Sequence, residues 1–173
     1  MAEKPAAKRS VPEEGVCISK ERQEQSELHF DPVPLYALGD IHGELDKALA
    51  LLRQIRLIDE SNRWIGKNAR LVCVGDYVDR GRQGIETLEM LRLLQEQAQK
   101  EGGRVVALLG NHDAIMIAHA RGRDGSFKDL MDRTPYWEIR ENHLKNGGYA
   151  REVAALKENP SLLEWYAQLP VLH

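Results

Sequence analysis

Apolar and polar residues along the chain form blocks that predict strands alternating with helices. The apolar run Leu35–Leu38 follows two prolines, which favour extended backbone, and it predicts the first strand. From Glu44 to Ile58, apolar residues recur three and four positions apart, which is the spacing of a helix with one apolar face. The same patterns recur downstream, where strands are predicted over Leu71–Val74 and Arg104–Leu109 and a helix over Gln83–Lys100.

This order of elements predicts an α/β fold with a parallel sheet, because consecutive parallel strands need a crossover between them and helices supply it. The run Leu71–Val74 is rich in β-branched residues and is typical of a strand that is buried on both faces of such a sheet. After Gly110 the pattern stays helical but is interrupted. Helical stretches are predicted over residues 113–120, 135–145 and 161–169.

Composition divides the chain into two parts and excludes several functions. Residues 1–31 are polar and predict a flexible tail, whereas residues 32–173 predict one domain. The chain has 24 basic and 27 acidic residues, so neither nucleic acid nor an anionic membrane surface is expected as a partner. The longest apolar run, Val105–Leu109, is far shorter than the roughly 18 residues of a membrane span. Because no signal peptide is evident and the two cysteines have no zinc or disulfide spacing, a cytoplasmic protein is expected.

Each predicted strand runs into a short glycine-containing motif that carries polar side chains. The motifs are GDIHG at 39–43, GDYVDRG at 75–81 and GNHD at 110–113. Since the carboxyl ends of parallel strands share one edge of the sheet, we expect their polar residues to converge there. These residues are Asp40, His42, Asp76, Asp79, Asn111 and His112. Crowded carboxylates and imidazoles need a compensating cation, and this mixed donor set suits Mn, Fe or Zn.

Two divalent ions fit these donors better than one ion does. A carboxylate can bridge two ions about 3.5 to 4 Å apart, and Asp76 on the middle motif is the natural bridge. Taken singly, each motif has an ordinary structural explanation as a helix cap, a turn or a surface ion pair. The three motifs together favour a metal site. The chain also lacks the fingerprints GxGxxG and GxxxxGK[ST] that bind nucleotide phosphates.

The three motifs, in this order, resemble those of the calcineurin-like metallophosphoesterases and are closest to the phosphoprotein phosphatase branch. The resemblance extends over Leu35 to His173 and implies an α/β/β/α sandwich. Of this sandwich, the chain is expected to supply the N-terminal βαβαβ half and a helical insert. The family's remaining histidine ligands come from its second half, so residues 32–173 are expected to be a domain truncated at its C-terminus.

The resemblance also implies a role for each motif residue. It implies four metal ligands, which are Asp40 and His42 for the first ion, Asp76 as the bridge and Asn111 for the second ion. His112 is implied as the general acid that protonates the leaving oxygen, and Asp79 would orient its ring. Arg80, together with Asn111, is implied in binding the substrate phosphate, for which a planar guanidinium is well suited.

The expected function is a metal-dependent phosphatase that hydrolyses phosphomonoesters, with phosphoserine and phosphothreonine proteins as the first expected substrates. Two alternatives remain open. The Ile of GDIHG and the Asp of GNHD are also typical of symmetrical dinucleoside tetraphosphate hydrolases, although the DRG ending at Asp79–Gly81 favours the phosphatase side. The other alternative is a non-catalytic fragment or pseudophosphatase that acts as a binding module. In either case the tail and the helical insert are candidate surfaces for a regulatory partner.

Overall fold

The computed structural model describes residues 32–122 and 149–171. The predicted tail at 1–31 and the helical stretch at 135–145 lie outside these ranges. The described residues form three strands and five helices. The strands are β1 (Leu35–Leu38), β2 (Arg70–Cys73) and β3 (Arg104–Ala107), and the helices are α1 (Leu45–Gln54), α2 (Gly84–Lys100), α3 (Asn111–Ala120), α4 (Tyr149–Glu158) and α5 (Pro160–Ala167).

The three strands form a parallel sheet in the order β1, β2, β3. Leu38, Cys73 and Ala107 stand side by side at the carboxyl ends of their strands. All three glycine motifs therefore leave the sheet at the same edge and the same level. The predicted α/β fold and its parallel sheet are confirmed.

One face of the sheet is buried and the other is largely open within the described residues. Leu71 and Cys73 of β2 are almost completely buried, whereas Val72 is only half-buried and Val74 is 46% exposed. The expectation that this strand is buried on both faces is therefore wrong. Because the strands follow one another in order, two right-handed crossovers place α1 and α2 on the same face. A run of four apolar residues does not distinguish burial on one face from burial on two.

The predicted first helix ends earlier than its apolar pattern suggested. Helix α1 stops at Gln54, and Arg56 adopts a left-handed backbone with φ of 59°. The apolar residues beyond it, Leu57 and Ile58, are still buried, but they belong to a loop in which Ile58 pairs with Trp64. Burial of these two hydrophobic side chains stabilises the core, and it does not require a helical backbone.

Helices α4 and α5 pack against α3 and α2. Helix α5 agrees with the helical stretch predicted over 161–169. It begins at Pro160. Asn159 is its N-cap residue, and its side chain accepts a hydrogen bond from the backbone N–H of Leu162 at 3.2 Å. Helix α4 was not predicted. None of the helices in the two described ranges has both the length and the apolar content needed to cross a membrane.

Candidate metal centre

The first two glycine motifs are joined by backbone hydrogen bonds beyond the edge of the sheet. The N–H of His42 donates to the carbonyl of Asp76 at 2.8 Å, and the N–H of Gly43 donates to that of Tyr77 at 2.8 Å. In return, the N–H of Gly81 donates to the carbonyl of His42 at 2.8 Å. These bonds fix the position of the first motif relative to the second.

The second and third motifs touch through glycine. Gly75 has a φ of 108°, and a Cβ atom built on it would collide with the backbone of Gly110. A Cβ atom on Gly110 would in turn collide with the backbone N and the side chain of Asp76. The two loops can approach this closely only because neither position carries a side chain.

Three side chains, one from each motif, form a cluster that could hold a metal ion. His42, Asp76 and His112 each offer one donor atom, and these atoms lie within 4.8 Å of one another. The Nδ1 atom of His42 lies 3.0 Å from the carbonyl oxygen of Val78, to which it can donate its proton. That bond leaves Nε2 of His42 as the atom with a free lone pair for a metal. Two imidazoles and one carboxylate are donors that suit Mn, Fe or Zn, so the donor set fits the divalent metals expected from the sequence.

The other predicted ligands lie near this cluster but are more exposed. Asp40 is 59% exposed at its side chain, and its Oδ2 lies 3.8 Å from Nε2 of His42. Asn111 is the first residue of α3 and is exposed, as is Arg80 on the second motif. Within the described part of the chain, neither the Asn111 nor the Arg80 side chain makes a hydrogen bond or an ion pair, so both are available to a ligand.

His112 and Asp79 form a buried imidazole–carboxylate pair beside the cluster. Nδ1 of His112 lies 3.1 Å from Oδ2 of Asp79, and both side chains are almost completely buried. Because Asp79 engages Nδ1, the other ring nitrogen of His112 is the one that can act on a ligand. The rings of His112 and His42 also meet edge to face, with centroids 4.8 Å apart. His112 thus belongs both to the donor cluster and to a pair suited to proton transfer.

Four of the predicted site residues have left-handed backbones although none is glycine. The φ angles are 48° for His42, 55° for Asp76, 71° for Asp79 and 69° for Arg80. Such a conformation costs about 1 to 3 kcal/mol per residue and persists only where the surroundings enforce it. Four of the seven non-glycine residues with positive φ in the described ranges lie in the first two motifs, so this strain is concentrated at the candidate site.

Asp113 holds this arrangement together, and its structural role was not predicted from the sequence. Its buried carboxylate accepts hydrogen bonds from the backbone N–H groups of Asp76, Tyr77 and Gly110 at 2.7, 3.0 and 2.9 Å, and from the hydroxyl of Tyr166 at 2.5 Å. Burial raises the pKa of Asp113, and the four donors oppose that rise. A signal was present, because an acidic residue three positions after Gly110 is placed to cap the start of α3.

Glu152 is a second residue that the sequence did not reveal. It lies on α4, is fully buried, and accepts a hydrogen bond from the backbone N–H of Asp79 at 3.4 Å. Burial raises its pKa to about 7, and the nearby charge of Asp79 adds to that rise. No motif surrounds it in the sequence, so only the packing of α4 identifies it.

The motifs and their geometry agree with the family comparison. The model of the Calcineurin-like phosphoesterase family matches residues 33–172. The chain therefore belongs to the calcineurin-like phosphoesterases, a metallophosphoesterase family that uses divalent metals, and the resemblance inferred from its three motifs is confirmed.

Relatives and solved structures with three kinds of name match the chain. Shewanella-like protein phosphatase 2 of Arabidopsis thaliana is 35% identical over 107 residues, which are 60% of this chain and 27% of the relative. A symmetrical bis(5'-nucleosyl)-tetraphosphatase of Pseudomonas syringae pv. tomato is 30% identical over 139 residues, 80% of this chain and 36% of the relative. The crystal structure of a cold-active protein-tyrosine phosphatase of Shewanella sp. is 36% identical, with a TM-score of 0.46, over 49% of this chain and 27% of that chain. The chain thus spans between 27% and 36% of the length of these relatives.

Replacing Asp113 with Ala should destabilise the protein far more than replacing its partner Tyr166 with Phe. Asp113→Ala leaves one buried and two partly buried N–H groups without their acceptor, so we expect a loss of about 3 to 5 kcal/mol in the free energy of unfolding. Tyr166→Phe removes one donor and leaves the three backbone bonds in place, so a loss of about 1 to 2 kcal/mol is expected. Urea denaturation followed by circular dichroism measures both. Equal losses for the two variants would contradict the central role of Asp113.

The raised pKa of Glu152 should make stability depend on pH. Its pKa is about 7 in the folded chain and about 4.5 in the unfolded one, so between these values the unfolded state releases a proton that the folded state keeps. The free energy of unfolding should therefore fall as pH rises from 4.5 to 7, by an amount on the order of 3 kcal/mol.

The variant Glu152→Gln carries no titrating proton and should lack this dependence. The stability difference between Glu152→Gln and the unmodified chain, measured by urea denaturation at several pH values, isolates the contribution of Glu152. Glu158→Gln, an exposed change on the same helix, serves as the control. A difference that stays constant across this pH range would show that Glu152 is ionised in the folded protein.

Proposed function

We propose that the chain is a metal-dependent phosphatase that hydrolyses phosphomonoesters, with phosphoserine and phosphothreonine proteins as its substrates. One observation supports this function above the others. A buried imidazole–carboxylate pair, His112 with Asp79, lies against a cluster of metal donors from three strand ends. A histidine that a buried carboxylate orients beside a metal-bound phosphate is placed to protonate the leaving oxygen.

The proposed metal ligands are Asp40, His42, Asp76 and Asn111, with Asp76 shared between two divalent ions. Divalent ions bound there would polarise the phosphoryl group and supply a nucleophile from water at neutral pH. Mn, Fe and Zn are the proposed ions, because the donors are oxygen and imidazole nitrogen without thiolate. The exposed positions of Asp40 and Asn111 leave their side chains free to turn toward an ion.

The chain's own residues would perform the remaining chemistry. His112 holds a proton on the ring nitrogen that Asp79 does not engage and delivers it to the departing oxygen. Asp79 orients the ring and stabilises the positive charge on it. Arg80, whose guanidinium makes no ion pair within the described residues, binds the phosphate oxygens through its planar fork.

A dinucleoside tetraphosphate is the second candidate substrate. The tetraphosphatase relative matches 80% of the chain, whereas the Shewanella-like protein phosphatase matches 60%. The DRG sequence at Asp79–Gly81 favours the phosphoprotein, because the symmetrical tetraphosphate hydrolases that the motifs also resemble usually depart from this ending. We also propose that residues 32–173 form the phosphoesterase part of the chain and residues 1–31 a separate tail, as the match to residues 33–172 suggests.

Steady-state assays of the chain with Mn²⁺ test these substrates directly. We expect hydrolysis of p-nitrophenyl phosphate and of phosphoserine and phosphothreonine peptides. A kcat/KM for symmetrical dinucleoside tetraphosphate that exceeds those for the peptides would replace the proposed substrate with the second candidate. Bound metal without hydrolysis of any of these compounds would instead indicate a binding module.

Replacing Asp76 with Asn should release metal from the chain. The amide cannot supply the negative charge that a shared ligand needs, so the affinity for Mn²⁺ should fall by at least roughly 10- to 100-fold. Elemental analysis after dialysis, together with calorimetric titration of Mn²⁺, measures this loss. Asp46→Asn, a change at an exposed carboxylate on α1, is the matched control. Full metal occupancy in Asp76→Asn would contradict its role as a ligand.

Replacing His112 with Asn should lower turnover while the metals stay bound. Loss of a general acid costs roughly 10²- to 10⁴-fold in kcat. The deficit should be larger for a phosphoserine peptide, whose alkoxide needs a proton to leave, than for p-nitrophenyl phosphate, whose phenolate does not.

His119→Asn, on the same helix, is the control for this experiment. Loss of metal in His112→Asn would show that His112 is a ligand and not the acid. Equal deficits for the two substrates would also contradict the proposed proton transfer.

A further inference from the structure

Helix α4 contacts the second motif loop through two adjacent side chains. The guanidinium of Arg151 donates a hydrogen bond to the backbone carbonyl of Arg82. Glu152, the next residue, accepts the hydrogen bond from the N–H of Asp79 through its Oε2 atom at 3.4 Å. Neither contact is needed to hold a metal. Both contacts are made with the segment that carries Asp79, the partner of His112.

The start of helix α2 is shaped around the carboxyl group of Glu152. Gly84 is buried at the first position of α2, and a Cβ atom there would collide with Oε1 of Glu152 and approach the backbone of Val78. Oε1 itself is buried and makes no hydrogen bond within the described part of the chain. Burying a carboxyl group with one unsatisfied oxygen costs free energy. The Glu152 carboxyl group therefore costs stability at this position.

The groups that surround Glu152 favour its neutral form. Asp79 from the motif loop and Glu86 from α2 place negative charge near it, Arg151 on its own helix opposes them, and Tyr166 of α5 lies close to it. With its pKa raised to about 7 by burial, Glu152 keeps its proton through mildly acidic pH. A neutral acid can accept the N–H of Asp79 without repelling the Asp79 carboxylate.

We propose that Glu152 is a positioning residue for the Asp79–His112 pair. It holds the backbone N–H of Asp79 while that residue adopts its left-handed φ of 71°, so that the Asp79 carboxylate stays directed at Nδ1 of His112. The expected effect of Glu152 on turnover rests on the proposed phosphatase function. Its expected effect on the backbone of Asp79 is independent of that function.

Amide hydrogen exchange measured by NMR on the metal-free chain tests the backbone part of the proposal. In Glu152→Ala the amide of Asp79 should exchange at least roughly 10-fold faster than in the unmodified chain, because its acceptor is gone. In Glu152→Gln, which keeps a neutral acceptor of the same length, protection should be retained. The amide of Gly43, bonded to Tyr77, reports whether the loops stay folded. If Glu152→Ala does not fold, Glu152→Asp, one methylene shorter, should show the same loss of protection.

Steady-state kinetics test the effect on the site. A displaced general-acid pair should lower kcat by roughly 10- to 100-fold with little change in KM. Glu152→Gln should restore kcat to within a few-fold, and Mn²⁺ content should be unchanged in both variants. Glu158→Ala, exposed on the same helix, should match the unmodified chain.

Two outcomes would overturn the proposal. The first is equal protection of the Asp79 amide in Glu152→Ala and Glu158→Ala. The second is equal kcat for Glu152→Ala and Glu152→Gln when both are folded and loaded with metal. If the unmodified chain itself does not hydrolyse a phosphomonoester, that result contradicts the proposed phosphatase function and not the positioning role of Glu152. The exchange rates of Asp79 would then still decide whether Glu152 positions its backbone.

Discussion

One buried carboxylate, that of Asp113, fixes the positions of the second and third motif loops relative to each other. It accepts hydrogen bonds from the backbone N–H groups of Asp76 and Tyr77 in the second motif and of Gly110 in the third. It also accepts a hydrogen bond from the hydroxyl of Tyr166 on α5. Backbone N–H groups that would otherwise be buried without partners are thereby satisfied by a single group. Because Asp113 follows His112 directly, the bonds that join the loops also place the imidazole.

The left-handed residues show why such a constraint is needed. The first two motifs carry the backbone strain of four left-handed residues, His42, Asp76, Asp79 and Arg80. The N–H of Asp76 reaches Asp113 while its own side chain accepts the N–H of His112 at 3.0 Å. Hydrogen bonds between the loops offset part of this strain.

The sequence predicted those parts of the structure that follow from strand order. Once three strands alternate with helices, their carboxyl ends must share an edge, so the meeting of His42, Asp76 and His112 required no knowledge of packing. The open face of the sheet was not predicted, because Val72 and Val74 are as apolar as the buried Leu71 and Cys73. Helix α4 and Glu152 were missed for a different reason. Their importance lies in contacts with the distant residues Asp79 and Gly84, which local periodicity does not encode.

The surroundings of His112 impose an electrostatic requirement that Asp79 and Glu152 meet together. A protonated His112 would stand at the second residue of α3, where the helix dipole opposes positive charge, and beside a cluster built for cations. The buried Asp79 carboxylate supplies the compensating negative charge at 3.1 Å. A second ionised carboxylate in the same space would repel Asp79 and weaken its hold on the ring. In the proposed positioning role, Glu152 would therefore serve the pair best as a neutral acid, a form that burial favours by raising its pKa to about 7.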